Sequence, residues 1–108
     1  MTRSASPASL TTPLADLRIN CNRLLHRIDQ LAQIGAIAGG GVCRLALTDE
    51  DKAGRDLVVS WMQELGLTIT IDQLGNVVGT RAGLVAGAPV MTGSHIDTVA
   101  TGGRYDGN

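Results

Sequence analysis

The chain has 108 residues and a formal net charge of −1, with nine Lys or Arg residues against ten Asp or Glu residues. This length suits one small domain with a modest core. Because the charge is nearly balanced and aromatic residues make up only 2% of the chain, we expect no nucleic-acid binding. No apolar run approaches the roughly 18 residues of a membrane span, so we expect no membrane partner either.

The amino terminus and the cysteines indicate where the protein is located. Residues 1–12 are rich in Ser, Thr, Ala and Pro and contain no apolar segment, which predicts a disordered leader and not a secretory signal. Cys21 and Cys43 lie in unlike contexts and form no CxxC pair, so neither a disulfide framework nor a zinc ribbon is predicted. The expected location is the reducing cytoplasm.

Two helices are predicted in the first two thirds of the chain. From Leu14 to Ile34, apolar residues recur at three- and four-residue steps, and Gly35 is a suitable stop. Thr48 is a good N-cap for a second helix because three acidic residues follow it, and this helix is predicted to run to about Leu65. Gly54 lies inside the second helix and costs roughly 1 kcal/mol relative to Ala.

Three strands are predicted after the helices. Leu67 to Asp72 alternates apolar and polar residues, and Val77 to Thr80 follows a Gly75-Asn76 turn, which together indicate a hairpin. The short apolar run from Pro89 to Thr92 predicts a third strand. The order of elements predicts an α/β fold with helices packed on a mixed β-sheet.

The last sixteen residues gather an imidazole and two carboxylates in a glycine-rich, polar setting. His95 lies where the third strand is predicted to end, and in extended chain His95 and Asp97 face the same way. A carboxylate that holds one ring nitrogen while the other binds a metal is a common arrangement in metal sites. Asp106 follows on a loop, but a catalytic zinc normally needs three protein ligands. From spacing alone, a hydrogen-bonded turn remains the alternative.

Two strings in this stretch carry a family resemblance. Gly-Ser-His-Ile-Asp-Thr-Val at 93–99 and Gly-Gly-Arg-Tyr-Asp-Gly at 102–107 resemble the metal-site signature of the M20 metallopeptidase-like amidohydrolases. Within that family they are most similar to the branch of N-carbamoyl-L-amino-acid hydrolases, beta-ureidopropionases and allantoate amidohydrolases. The resemblance implies that His95 is a metal ligand, that Asp97 is the catalytic-site residue orienting it, and that Asp106 bridges two divalent ions.

The same resemblance suggests which metals could bind and adds one residue, Arg44, near the active site. His with carboxylates suits zinc, manganese, cobalt or nickel. The segment Gly-Gly-Gly-Val-Cys-Arg-Leu is similar to one near the active-site side of the family, which makes Arg44 a candidate for a substrate or structural contact. No substrate-binding residue is assigned.

The function implied by the resemblance is metal-dependent hydrolysis of a C–N bond in an N-carbamoyl amino acid or related ureide. The short spacing between Asp97 and Asp106 favours this branch; an M20 aminoacylase or dipeptidase, or a truncated non-catalytic remnant, is the alternative. Known members are much longer, with further ligands and a dimer-forming lid domain. Residues 13–108 are therefore predicted to be the amino-terminal part of a two-domain catalytic domain, inactive alone and a homodimer when full length.

Overall fold

The computed structural model describes residues 13–105. The predicted leader at 1–12 and the predicted ligand Asp106 lie outside the described residues. The chain forms a short 3-10 turn at Leu14–Asp16, helices α1 (Cys21–Ala32) and α2 (Asp49–Glu64), and strands β1 (Thr68–Ile71) and β2 (Val77–Thr80). Within 13–105, no helix is long and apolar enough to cross a membrane.

Helix α1 is shorter than the sequence predicts. The side chain of Asn20 accepts a hydrogen bond from the backbone N–H of Arg23 at 3.0 Å and so acts as the N-cap. Because this cap starts the helix at Cys21, the prediction of a helix from Leu14 is wrong over its first turns. Gly35 follows the helix with φ +85°, and a Cβ atom there would collide with the carbonyl oxygen of Cys43.

Helix α2 confirms its prediction closely. The Thr48 side chain accepts a hydrogen bond from the backbone N–H of Asp51 at 3.2 Å, and the acidic first turn complements the helix dipole. The helix packs against both strands. The Arg27 guanidinium of α1 lies over the ring of Trp61, 5.4 Å from its centroid, which joins the two helices by a cation–π contact.

The two strands form an antiparallel hairpin, as predicted, in which Thr68 faces Thr80 and Ile71 faces Val77. The Asp72 carboxylate closes the turn, because it accepts hydrogen bonds from the Asn76 side chain at 2.8 Å and from the backbone N–H groups of Asn76 and Leu74 at 2.9 Å. These bonds, with that of the Asn76 side chain foremost, hold the pKa of Asp72 below its ordinary value. The α/β class is confirmed.

The predicted third strand is not formed. Residues 89–92 pair with no strand, so the sheet built by the described part of the chain has two antiparallel strands and is not mixed. The physical reason is visible in the exposure of this segment: Val90 is 100% and Met91 80% exposed. An apolar run forms a buried strand only when other layers cover its two faces, and residues 13–105 do not cover them.

The described part of the chain has a small core, and most of its buried side chains are polar. Among residues 13–105 the buried apolar side chains are Ala32 and Val42, whereas Arg44, Asp51 and Thr98 are buried polar residues. Leu65, at the carboxyl end of α2, is mainly exposed. Hydrogen bonds to buried polar groups therefore hold the segment that carries the predicted site.

Candidate active site

His95 and Asp97 are brought together as the sequence predicts. Nδ1 of His95 lies 3.1 Å from Oδ1 of Asp97 and 3.0 Å from the backbone oxygen of Asp97. Both oxygens are acceptors, so in the neutral ring Nδ1 carries the proton and donates it. Nε2 is then the unprotonated nitrogen, which is the form in which imidazole binds a metal. The two side chains keep 61% and 40% of their surface exposed.

The contact does not depend on the predicted strand. Residues 94–98 adopt no regular secondary structure, yet side chains two positions apart still reach each other. The backbone N–H of Thr98 donates to the carbonyl oxygen of Arg44 at 2.7 Å, and this bond fixes the chain directly after Asp97. The local geometry is therefore set by a contact with a distant part of the sequence.

The donor groups near His95 can be compared with the needs of the predicted metal site. Within 13–105, no group of three or more His, Cys, Asp or Glu side chains is arranged to hold a metal ion. The donor chemistry present fits a divalent ion, because a neutral imidazole oriented by a carboxylate is a common metal ligand. The His95–Asp97 pair would provide one protein ligand out of the three that a catalytic zinc needs. The predicted role of Asp106 stays a prediction.

A groove of about 260 Å³ lies beside His95 and Asp97. It is bounded by α2, by the turn between β1 and β2, and by residues 94–97. On its α2 wall, Arg55 donates to the carbonyl oxygen of Gly75 at 2.8 Å, while its Nε lies 3.8 Å from Oδ2 of Asp51. That separation is too long for a hydrogen bond but close enough for charge attraction. The groove leaves one side of the His95–Asp97 pair accessible to a small molecule.

Arg44 is a buried structural contact. Only 4% of its surface is exposed. Its Nε donates to the carbonyl oxygen of Ile96 at 2.9 Å, and one terminal nitrogen donates to the carbonyl oxygens of Leu31 at 2.9 Å and Ile34 at 2.7 Å. Of the two roles that the sequence left open, the structure supports the structural one. The charge is buried because several carbonyl oxygens replace its water.

Thr98 and Arg104 are positioning residues that the sequence reasoning missed. The Thr98 hydroxyl accepts from the backbone N–H of Arg44 at 2.9 Å, and its oxygen lies 2.8 Å from the carbonyl oxygen of Val99. Arg104 forms an ion pair with Asp29 of α1, which ties down the loop that precedes residue 106. Neither role has a local sequence signal, because both partners lie more than fifty residues away in the chain.

Comparisons with known proteins agree on one family. The chain is 48% identical over 90 residues to an N-carbamoyl-L-amino-acid amidohydrolase of Pseudomonas sp. (strain NS671), which covers 82% of this chain and 22% of that relative. It is 45% identical over 87 residues to an allantoate amidohydrolase of Bacillus subtilis (strain 168), with 80% of this chain and 21% of the relative covered. No family model matches the chain.

A solved structure is also similar to this chain in both fold and sequence. The crystal structure of an amidase of the hydantoinase/carbamoylase family from Burkholderia multivorans superposes with a TM-score of 0.76 at 60% sequence identity, over 80% of this chain and 21% of that one. The chain is a homologue of the hydantoinase/carbamoylase amidases. It spans about a fifth of the length of the relatives it matches. The α/β fold predicted from the sequence is that of these homologues.

Proposed function

We propose that the protein to which this chain belongs is a metal-dependent amidohydrolase that cleaves a C–N bond in an N-carbamoyl amino acid or a related ureide. The observation that carries the proposal is the 3.1 Å contact between Nδ1 of His95 and Oδ1 of Asp97. It leaves Nε2 in the form that binds a metal, and His95 lines an accessible groove. The names of the relatives, which act on carbamoyl amino acids and allantoate, support the substrate class.

Each residue has a distinct part in the proposal. His95 would bind one divalent ion through Nε2, and Asp97 would keep the proton on Nδ1 and raise the basicity of the ligand. Asp106 would bridge two ions of zinc, manganese, cobalt or nickel. The chemistry that such ions supply when bound is polarisation of the ureido carbonyl and activation of water near neutral pH.

The setting of the reaction is also part of the proposal. We propose a cytoplasmic homodimer that acts on small ureides or amides. Both cysteines are free, Cys21 exposed and Cys43 half-buried, which suits a reducing compartment. The surface of residues 13–105 leaves many large apolar side chains exposed, which favours contact with further protein surface.

The proposal is tested by the substrate preference of the complete protein and its dependence on metal. Hydrolysis is measured on an N-carbamoyl-L-amino acid, allantoate, an N-acetyl amino acid and a dipeptide, before and after treatment with a chelator. We expect hydrolysis of a ureide, loss of activity with the chelator, and recovery when zinc, manganese, cobalt or nickel returns. Faster hydrolysis of the acetyl amino acid or dipeptide would favour the aminoacylase or dipeptidase alternative. No hydrolysis in any metal form would contradict the proposal.

A further inference from the structure

The His95–Asp97 pair is attached to the rest of the molecule through the residue between its two members. The carbonyl oxygen of Ile96 accepts a hydrogen bond from Nε of Arg44 at 2.9 Å. This carbonyl belongs to the peptide unit that links Ile96 to Asp97. Because a peptide unit is planar and rigid, a group that fixes the Ile96 carbonyl also restricts the direction in which the Asp97 backbone starts.

The other end of the same guanidinium is anchored to helix α1. The terminal nitrogen of Arg44 donates to the carbonyl oxygens of Leu31 and Ile34, at and just beyond the carboxyl end of α1. The Leu31 carbonyl oxygen also accepts from the backbone N–H of Ile34 at 3.1 Å, and a cation at the carboxyl end of a helix is favoured by the helix dipole. Arg44 thus connects the site segment to a rigid element.

A second link holds the same segment on its carboxyl side. The backbone N–H of Arg44 donates to the Thr98 hydroxyl at 2.9 Å, and the backbone N–H of Thr98 donates to the Arg44 carbonyl oxygen at 2.7 Å. The side chain of Arg44 therefore fixes residue 96 while its backbone fixes residue 98. Asp97 lies between these two attachment points.

We propose that Arg44 is a positioning residue that fixes the geometry of the His95–Asp97 pair and so keeps the proton on Nδ1 of His95. The effect of Arg44 on metal binding rests on the proposed function, whereas the effect of Arg44 on the His95 ring does not. Lys cannot replace Arg here, because one ammonium group on a flexible stem does not span the Ile96 and Leu31 carbonyls as a planar guanidinium does.

The neighbouring helix is shaped to admit this side chain. Gly54 of α2 is buried, and a Cβ atom there would lie 2.9 Å from Cδ and 3.3 Å from Nε of Arg44. Gly54→Ala would therefore displace the guanidinium without removing it. This substitution offers a second way to disturb the pair that leaves the charge in place.

The experiment follows the His95 ring by nitrogen-15 NMR in metal-free protein, at a pH about two units above the usual His pKa of roughly 6.5, so that the ring is neutral. The His95 signal is assigned with His95→Gln. The variants are Arg44→Met, Arg44→Lys and Gly54→Ala. Leu67→Ala is the stability control, because Leu67 packs near Gly79 and lies outside the groove beside His95. Divalent-metal affinity is measured on the same samples.

In the wild type we expect a ring protonated mainly on Nδ1. In both Arg44 variants that proton should shift towards Nε2, and metal affinity should fall about 10-fold, the lower end of the range for groups that orient a ligand. Gly54→Ala should shift the His95 proton in the same direction. This variant tests the role of Arg44 even if Arg44→Met does not fold. The control should keep the wild-type ring signal.

Two results would overturn the inference. One is a wild-type ring signal in Arg44→Lys or Gly54→Ala; the other is an equal change in Leu67→Ala, which would mean that general loss of stability moves the ring. A wild type that binds no divalent metal would instead contradict the proposed function, and the ring signal would still decide whether Arg44 positions the pair.

Discussion

Gly54→Ala should destabilise this protein, although the same change in most helices is stabilising. Removing a glycine from a helix interior gains roughly 1 kcal/mol in helix propensity. At this position, however, the new methyl group would lie 2.9 Å from Cδ of Arg44 and 3.5 Å from Cδ1 of Leu31. Cδ cannot easily retreat, because the adjacent Nε is hydrogen-bonded to the Ile96 carbonyl.

The size of the effect follows from the two opposing terms. Forcing an extra methyl group into a packed site costs typically about 1–3 kcal/mol. Subtracting the propensity gain of roughly 1 kcal/mol leaves a net loss of up to about 2 kcal/mol. Hydrogen exchange of the α2 amides, analysed by mass spectrometry, measures this loss as faster local opening.

A matched control lies one residue away. Ala53 is exposed on the same helix, so Ala53→Gly should lose roughly 1 kcal/mol from propensity alone. If Gly54→Ala protected the α2 amides by as much as Ala53→Gly exposes them, the added methyl group would meet no resistance from Arg44, and this prediction would be wrong.

Three further predictions concern other parts of the structure. Thr98→Val should lose about 1–3 kcal/mol of unfolding free energy, because it leaves the buried N–H of Arg44 without its acceptor, whereas Thr98→Ser should keep most of it; chemical denaturation distinguishes the two. Asp72→Ala should speed amide exchange in the hairpin turn above the ordinary Asp pKa of about 3.9. Because folding lowers the pKa of Asp72, the wild-type advantage should vanish as the pH falls through the folded value, and a difference that persists in acid would contradict this. Finally, the isolated chain should self-associate as its concentration rises, and a variant with Val90→Ser and Met91→Ser should do so less in sedimentation measurements.

Local signals predicted the elements whose causes are local. Thr48 caps α2 through its own side chain, and the hairpin turn is closed by Asp72 and Asn76, four residues apart. The His95–Asp97 contact joins residues two apart, so spacing alone could suggest it. These features need no information from the rest of the chain.

Features that depend on distant contacts were missed or misplaced. The prediction for residues 89–92 assumed neighbouring layers that residues 13–105 do not provide. Arg44 attracted notice only through resemblance, because its partners Leu31 and Ile96 lie 13 and 52 residues away. Gly54 looked like a helix defect, and only the position of Arg44 gives it a physical reason.

The most direct test of the central claim is the metal content of the complete protein and its variants, measured by mass spectrometry of the eluted metal. We predict two divalent ions per subunit in the wild type, none retained in Asp106→Ala, and preferential loss of one in His95→Ala. Asp97→Asn should bind metal about 10- to 100-fold more weakly. Ser94→Ala, which removes only a weak 3.4 Å contact to the His95 carbonyl, should match the wild type. Full metal content in both His95→Ala and Asp106→Ala would contradict the account.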